Sequence, residues 1–448
     1  MKRCRALAGL VVAASVAIAL SSSTQQGKPN DRDTKVRADK DKVGGEGFWI
    51  YDDLPRGVAQ AKSSGKPLLV VFRCIPCEAC AKLDEQVVER DPTVQALLDK
   101  FVCVRIPHAN GMDLALFQYD YDQSWAAFFL NADLTIYGRY GTRSHRTESE
   151  HDVTLEGFAK SLEGALELHA RYPADKGALA AKRGGPVDAK VPEDFPTLKG
   201  KFTAALDYRG AVAKSCIHCH QVGEAQRLVW RNAGKPIPTA LMHPYPNPKI
   251  LGLVMDPAQR ARVLDVTAGS QAERDGFKVG DDIATFDGQP VLSIADLQWV
   301  LHHAGETGSI AASVVRDGKP TALTLTLAAG WRLRDDISWR ATSWDLRRMV
   351  TGGLTLEDLG EGERKAAKLG DAALALRVTN VGQYGDHATA KNAGFQKDDL
   401  IVALDGVRER LTETEWMASL VARTKPGDAV SVKVRRGADE LDLKLPMH

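Results

Sequence analysis

Hydrophobic and polar positions in the first part of the chain alternate between helical and extended patterns. The stretch DDLPRGVAQAKSSG has helical spacing, and the apolar run PLLVVF after it predicts a buried strand. A second helix is predicted from Ala81 to Lys100, followed by a strand at FVCVRIP and a strand pair around AAFFLNADLTIYGRYG. This alternation predicts an α/β domain over residues 47–172.

The C-terminal half contains an internal repeat. Residues 275–288 (DGFKVGDDIATFDG) align without gaps with residues 393–406 (AGFQKDDLIVALDG). In each copy an Asp-Gly hairpin signal precedes a helix, near Ile294 to His302 and near Glu413 to Arg423, and alternating strands close the copy. A repeat in one register predicts two copies of a small, mostly β domain, at 246–331 and 344–448.

Three segments are predicted to lie outside these domains. Residues 1–23 place Lys2, Arg3 and Arg5 before an apolar run and predict a cleaved signal peptide, with an uncleaved membrane anchor as the alternative. Residues 24–46 and 173–201 are poor in apolar positions and predict disordered linkers. No later segment is apolar for long enough to span a bilayer, so we expect a periplasmic or secreted mature chain without a transmembrane segment.

Composition narrows the function classes. The chain has 448 residues, 44% of them hydrophobic, and a formal net charge of +1. It is long enough for several cores, and its balanced charge gives no basic field for nucleic acid. We expect Cys4 to leave with the signal peptide. The remaining cysteines form an early group (Cys74, Cys77, Cys80 and Cys103) and a central pair (Cys216 and Cys219).

The central pair has the spacing that covalent haem requires. In SCIHCHQ, Cys216 and Cys219 are placed to form thioethers with one porphyrin, and His220 is placed to bind the iron. His218 lies inside the loop and cannot reach the far face of the iron. The motif predicts a short helical segment, 202–245, that carries covalent haem c; the alternatives are a plain disulfide or half of a zinc site.

The sequence leaves the second axial ligand of the predicted haem iron open. Met242 and His243 lie in the proline-rich segment LMHPYPNP and are the candidate distal ligands, with Met255 a weaker one. The alternative is a five-coordinate iron, in which Met242 and His243 only pack or face water.

The early cysteines follow the apolar strand PLLVVF in the run RCIPCEAC. This arrangement resembles the thioredoxin-like superfamily over 47–172, which implies Cys74 as nucleophile and Cys77 as resolving thiol. Arg73, Val71 and Ser124 depart from the family's supporting residues. Two alternatives therefore stay open: a soft copper or zinc site made of Cys74, Cys77 and Cys80, and a structural disulfide.

Both repeats resemble PDZ domains of the bacterial HtrA-like type. The resemblance rests on GSQAERDGFKVGDDIATFDGQPVLSIADLQWVL in the first copy and HATAKNAGFQKDDLIVALDG in the second. It implies that an apolar-Gly-apolar loop binds the C-terminus of an extended peptide. The loop of the first copy is Leu251, Gly252, Leu253 and Val254, whereas residues 353–356 match less well. The alternative is that either copy is only a scaffold.

The whole chain is expected to be multidomain: an α/β thioredoxin-like domain, a helical haem segment and two PDZ-like domains. This order resembles exported proteins of the planctomycete type. The sequence contains no G-x-S-x-G turn, so a serine protease is not predicted. We expect an exported redox protein that couples haem electron transfer to thiol chemistry and binds a redox partner protein. The alternative is a non-enzymatic PDZ adaptor or sensor whose haem and cysteines are structural or metal-binding.

Overall fold

The computed structural model describes residues 31–75, 81–145 and 151–448. The predicted signal peptide and the positions of Cys77 and Cys80 lie outside the described residues. None of the helices in the described ranges combines the length and apolarity needed to cross a bilayer.

The first domain is built on a five-stranded mixed sheet. Its strand order is β1-β3-β2-β4-β5, with β1, β3 and β2 parallel and β4 and β5 antiparallel to their neighbours. This confirms the predicted α/β fold. Its elements are α1 (Asp31–Gly45), β1 (Ile50–Tyr51), α2 (Leu54–Ser64), β2 (Leu68–Arg73), α3 (Ala81–Val88), α4 (Pro92–Leu98), β3 (Val102–Ile106), β4 (Trp125–Leu130), β5 (Ile136–Tyr140) and α5 (Leu155–Arg171).

Two local predictions in this domain were wrong. The single helix expected from Ala81 to Lys100 is broken into α3 and α4, because Arg90 has a left-handed backbone (φ 57°) and Pro92 starts a new helix. The disordered lead expected up to residue 46 contains α1, which buries Val36 and Val43 against the rest of the protein. Two buried valines are thus enough to pack this largely polar helix against the rest of the protein.

The predicted linker at 173–201 is also ordered. It forms α6 (Lys176–Leu179) and 3₁₀ turns at Ala180–Lys182 and Pro192–Asp194. Leu179 is buried in the first domain's core, and the buried Lys182 Nζ lies 2.8 Å from Asp296 Oδ1. A few buried apolar side chains and one buried ion pair are enough to order a segment whose composition predicts disorder.

The central segment is helical, as predicted, and lies between the first domain and the second repeat. It contains α7 (Val212–Ser215), α8 (Cys219–Asn232) and α9 (Thr239–Met242). Just before α8, the Ala109 amide donates to Ile217 O at 2.8 Å; near its end, Arg231 Nε donates to His448 O at 3.0 Å. The segment therefore bridges two parts of the chain.

The two repeats form separate β-rich domains. The first contains β6 (Leu253–Met255), β7 (Val263–Val266), α10 (Gln271–Arg274), β8 (Asp282–Phe286), β9 (Gln289–Pro290), α11 (Ile294–His303), β10 (Gly308–Arg316) and β11 (Lys319–Leu327). The second follows α12 (Ser343–Val350) and contains β12 (Leu354–Asp358), α13 (Glu361–Ala366), β13 (Leu376–Val381), α14 (Thr389–Asn392), β14 (Leu400–Leu404), α15 (Glu413–Arg423), β15 (Ala429–Arg436) and β16 (Asp439–Pro446).

Residues that align in the repeat have the same structural role. The fully buried Asp281 binds Arg316 with an Oδ1–Nε distance of 2.7 Å, and Asp399 binds Arg436 at the same distance. In both copies the acid comes from the aligned segment and the arginine from the end of a later strand. The predicted repeat is therefore a repeat in three dimensions.

Candidate thiol site

Cys74 lies immediately after β2, at the carboxyl end of a strand that is parallel to β3. Its amide donates to the Ser124 carbonyl oxygen at 2.9 Å, just before β4 begins. The side chain of Cys74 is half-buried. The predicted nucleophile thus lies at the carboxyl end of the central strand, where its amide is hydrogen-bonded to the Ser124 carbonyl.

His218 is the residue that the fold brings to Cys74. The Cys74 Sγ and His218 Nδ1 atoms are 3.1 Å apart although the residues are 144 positions apart in the sequence. Burial, with the nearby His220 and Arg32, lowers the pKa of His218 to about 4. The imidazole is therefore neutral near pH 7, and in the tautomer protonated on Nε2 its Nδ1 can accept a hydrogen bond from the Cys74 thiol.

Cys219 lies beside Tyr119 on the same side of the first domain. The Tyr119 hydroxyl donates to Cys219 Sγ at 2.9 Å, and the Tyr119 ring stacks on Phe72 of β2 with centroids 5.6 Å apart. Burial first, and then the thiols of Cys219 and Cys74, raise the pKa of Tyr119 well above its usual value. The phenol stays protonated and donates to Cys219.

Cys216 faces a small apolar cluster. Its side chain is 5% exposed and packs with Val36 of α1 and with Val212, and Cys216 Sγ lies 3.3 Å from Val212 O. Burial raises the pKa of this thiol to about 11. Ile75, which directly follows Cys74, packs against the same cluster. Helix α1 thus covers Cys216 from outside.

A buried carboxylate that the sequence did not indicate lies behind the site. Asp84 of α3 binds Arg105 Nη1 at 2.7 Å and Arg73 Nε at 3.1 Å, and it accepts a hydrogen bond from Trp125 Nε1. Although burial opposes it, Arg105 and Arg73 lower the pKa of Asp84. Two guanidinium groups neutralise this acid, so His218 is the better placed proton acceptor for Cys74.

One ring nitrogen of His220 is paired with a carboxylate. Its Nδ1 lies 2.9 Å from Glu224 Oε1 one turn along α8, and the side chain is 38% exposed. Burial opposes charging of the ring, but Glu224 raises the pKa of His220. A histidine whose Nδ1 is held by a carboxylate can present Nε2 to a metal.

Both cysteines of the predicted haem motif are buried in this fold. Cys216 and Cys219 are 5% and 6% exposed and belong to two different clusters of protein side chains. A porphyrin needs both sulfurs on one open face. Covalent attachment would therefore require the segment to leave its contacts with the first domain.

The candidate distal ligands also lie elsewhere. Met242 packs in the core of the second repeat, and Met255 packs in that of the first. His243 is buried, with its Nδ1 3.2 Å from Asp335 O. The contacts described for His220 are with Glu224 and the His218 ring, and they include none of these three residues.

Within the described part of the chain, no group of three or more His, Cys, Asp or Glu residues is arranged to hold a metal ion. Cys80, which the sequence offered as a metal ligand, lies outside that part. The metal alternative for the early cysteines therefore remains a prediction.

The apolar-Gly-apolar loop of the first repeat forms as a turn. Gly252 has φ 94°, and a Cβ atom there would lie 2.1 Å from Ser270 Oγ. Leu251 and Leu253 are buried in the repeat's core, and Val254 of β6 pairs with β7. Glycine is required at this turn, while the leucines support it from inside.

The helix α11 of the first repeat packs on the first domain. Asp296 Oδ1 accepts a hydrogen bond from the Arg139 amide of β5 at 3.2 Å, and Ser293 Oγ donates to the Arg139 carbonyl at 2.5 Å. The buried Lys182 pairs with the same aspartate. The first repeat is therefore fixed to the α/β domain through several buried polar contacts.

Comparisons with known families agree with this architecture. Residues 49–132 match the model described as thioredoxin-like, and residues 247–327 and 364–447 each match the PDZ domain model. The chain therefore contains a thioredoxin-like domain and two PDZ domains.

Similar proteins carry protease names. The chain is 26% identical over 189 residues to the periplasmic pH-dependent serine endoprotease DegQ of Escherichia coli, covering 42% of this chain and 37% of that protein. It is 25% identical over 182 residues to a probable periplasmic serine endoprotease DegP-like of Marinomonas sp., covering 41% and 36%. The chain thus spans about a third of the length of these relatives. Among solved structures, the HtrA-type protease AlgW with decapeptide matches at 15% identity and a TM-score of 0.20, covering 31% of this chain and 48% of that one.

Proposed function

We propose that the chain is an exported thiol–disulfide protein in which Cys74 is the nucleophile and His218 accepts its proton. The observation that carries this proposal is the 3.1 Å distance between Cys74 Sγ and His218 Nδ1. A cysteine becomes nucleophilic as the thiolate, and a neutral imidazole at hydrogen-bonding distance is the usual group that generates it.

The reaction is disulfide exchange with a partner protein. The Cys74 proton passes to His218, the Cys74 sulfur forms a bond with one sulfur of the substrate disulfide, and the other substrate sulfur leaves as a thiolate that takes up a proton. The thioredoxin-like resemblance implies that Cys77 then displaces the substrate and leaves a Cys74–Cys77 disulfide. The electrons that reduce the substrate come from these two thiols.

Export and peptide binding complete the proposal. The basic and apolar pattern of residues 1–23 supports a periplasmic or secreted location, and the relatives named above are periplasmic. PDZ domains bind peptides of partner proteins, and the turn at Gly252 supports the first PDZ domain as the binding one. We propose that it binds the C-terminus of a partner and so brings substrate to Cys74.

Turnover of a chromogenic aryl disulfide tests the thiol chemistry. We expect Cys74→Ser to abolish the fast reaction and His218→Gln to slow it about tenfold or more, because the proton acceptor is lost. His169→Gln is the matched control, since His169 contacts Tyr137 and Gly65 instead. Equal rates for wild type and Cys74→Ser would refute the redox proposal and favour the PDZ adaptor whose cysteines are structural.

Covalent haem at Cys216, Cys219 and His220 is a second proposal. The contact between His220 Nδ1 and Glu224 favours it, while the burial of both thiols opposes it. A bound haem would supply one-electron transfer. Expression with a c-type maturation system tests it: a haem-stained band on a denaturing gel that disappears in Cys216→Ser would support it, and an unstained wild-type band would refute it.

A further inference from the structure

We infer that the second PDZ domain is closed to peptides by its own chain, and that the carboxylate of Glu413 is the group that closes it. Glu413 meets two other groups, the Arg347 guanidinium and the Leu356 amide, and we call these three groups the edge cluster. The closure goes beyond the thiol chemistry proposed above and is independent of it.

The strand β12 lies at the edge of the sheet of the second repeat, with β13 as its neighbour. A PDZ domain adds an extended peptide as a further strand at a sheet edge, and the main-chain groups of the edge strand pair with the peptide. In β12, the Leu356 amide donates instead to Glu413 Oε1 of α15 at 2.9 Å. A peptide strand that pairs with this amide must therefore displace Glu413.

A buried arginine fixes the Glu413 carboxylate. Arg347 of α12 donates from Nε to Glu413 Oε1 at 2.9 Å and from Nη2 to Glu413 Oε2 at 2.6 Å. The side chains of Arg347 and Glu413 are 2% and 5% exposed, and Arg347 Nη2 also donates to the Ser338 carbonyl at 2.8 Å. Because a two-point contact sets the position of both carboxylate oxygens, Glu413 is held against the Leu356 amide.

The loop that precedes β12 is also satisfied by the chain itself. The Gly353 amide donates to the Arg347 carbonyl at 3.1 Å, and the Leu354 amide donates to the Thr351 carbonyl at 3.2 Å. Backbone N–H groups of this loop are those that would bind the terminal carboxylate of a peptide. In the second repeat, two of these loop amides and one edge amide thus already donate to groups of the same domain and of α12.

The first repeat has a different side chain at the position of Glu413. Ile294 and Glu413 are each the first residue of the helix that follows the Asp-Gly hairpin, and a hydroxyl residue caps each helix. Ile294 packs in the core of the first repeat, and its side chain has no group that accepts a hydrogen bond. The edge cluster is therefore specific to the second repeat, which supports a division between a binding first PDZ domain and a closed second one.

Hydrogen–deuterium exchange of the full-length wild type, resolved to single amides, is the first test. If Glu413 occupies the edge, we expect the Leu356 amide to exchange about a hundredfold or more slowly than the same amide in an unfolded chain. Exchange of Leu356 at the rate of an unfolded chain would overturn the inference. This measurement needs no variant and no ligand.

The second test uses photo-cross-linking peptides on full-length variants. The probe is an equimolar pool of synthetic decapeptides with free C-termini, one for each apolar last residue, each carrying one benzophenone side chain. Arg347→Met/Glu413→Ile is the open variant, because it removes both members of the ion pair and leaves no unpaired buried charge. Glu413→Gln keeps an oxygen that accepts from the Leu356 amide and should stay closed.

The matched control is Glu357→Gln, which changes the next residue of β12, at an exposed pair with Arg377. We expect cross-links to residues 353–358, located by peptide mass spectrometry, to rise about tenfold or more in the open variant. The wild type, Glu413→Gln and Glu357→Gln should give the same low level.

Equal cross-linking of residues 353–358 in the wild type and the open variant would overturn the inference, as would no rise in an open variant that unfolds cooperatively on heating. If the open variant does not fold, the exchange rate of Leu356 in the wild type decides. Cross-links to residues 251–254 are counted separately, because they report on peptide binding by the first PDZ domain. The aryl disulfide assay, which reports on Cys74, is expected to give the same rate for the wild type and the open variant.

Discussion

Arg340 joins the segment between the two PDZ domains to the thioredoxin-like domain. Its Nη1 lies 2.8 Å from both carboxylate oxygens of Asp120 and 3.3 Å from Asp122 Oδ2, and its Nη2 donates to Pro244 O at 2.7 Å. The side chains of Arg340, Asp120 and Asp122 are at most 2% exposed. Asp120 directly follows Tyr119, so this buried ion cluster also supports the thiol site.

Arg340→Met removes the positive charge and leaves two carboxylates buried next to each other. Breaking a buried ion pair by removing one partner costs about 3–5 kcal/mol, so we expect the free energy of unfolding to fall by that amount. Arg262→Met is the matched control, because Arg262 pairs with Asp282 at a site where the two side chains are 46% and 45% exposed. An exposed pair contributes less than about 1 kcal/mol.

Urea unfolding followed by tryptophan fluorescence measures both variants. The transition of Arg340→Met is expected at clearly lower urea, and the double variant Arg340→Met/Asp120→Asn is expected to recover part of the loss, because a neutral amide relieves the carboxylate repulsion. Equal losses for Arg340→Met and Arg262→Met would refute the conclusion that this cluster holds the domains together.

Two further predictions concern His218 and the PDZ loop. The pKa of His218 is about 4 in the folded protein and about 6.5 in an unfolded chain. The unfolded state therefore binds the proton first, and the free energy of unfolding falls by up to about 3 kcal/mol as the pH drops from about 6.5 to about 4. Urea titrations at several pH values should show that His218→Gln loses this dependence. Gly252→Val places a side chain against Ser270 at a residue with left-handed backbone, so it should destabilise the first PDZ domain by about 2 kcal/mol or more in thermal unfolding. Gly185→Ala is the control, because its added Cβ meets open space, and it should leave the unfolding temperature almost unchanged.

The sequence predicted the elements whose pattern is regular. The buried strands β2 to β5 follow from short apolar runs, the helices after each Asp-Gly hairpin follow from helical spacing, and the repeat predicted two related domains. Helix α1 was missed because only Val36 and Val43 of its largely polar sequence are buried. The segment around Lys182 was missed because its stability depends on the distant Asp296.

The candidate site was only half predictable. Cys74 follows from its place after a buried strand, but His218 and Tyr119 reach the site through tertiary packing across large separations in sequence. The C-x-x-C-H spacing directed attention to His220 as a ligand and away from His218. Asp84 was missed because nothing in the sequence of α3 marks it as buried; its partners Arg73 and Arg105 lie on β2 and β3 and reach it only in the folded domain.

The most direct test of the central claim is the rate of alkylation of Cys74 by iodoacetamide at pH 7, resolved from the other cysteines by peptide mass spectrometry. If His218 accepts the thiol proton, the wild type should react about tenfold or more faster than His218→Gln, while His169→Gln should match the wild type. If Cys74 is alkylated equally fast in the wild type and in His218→Gln, the proposed pairing of thiol and imidazole is contradicted.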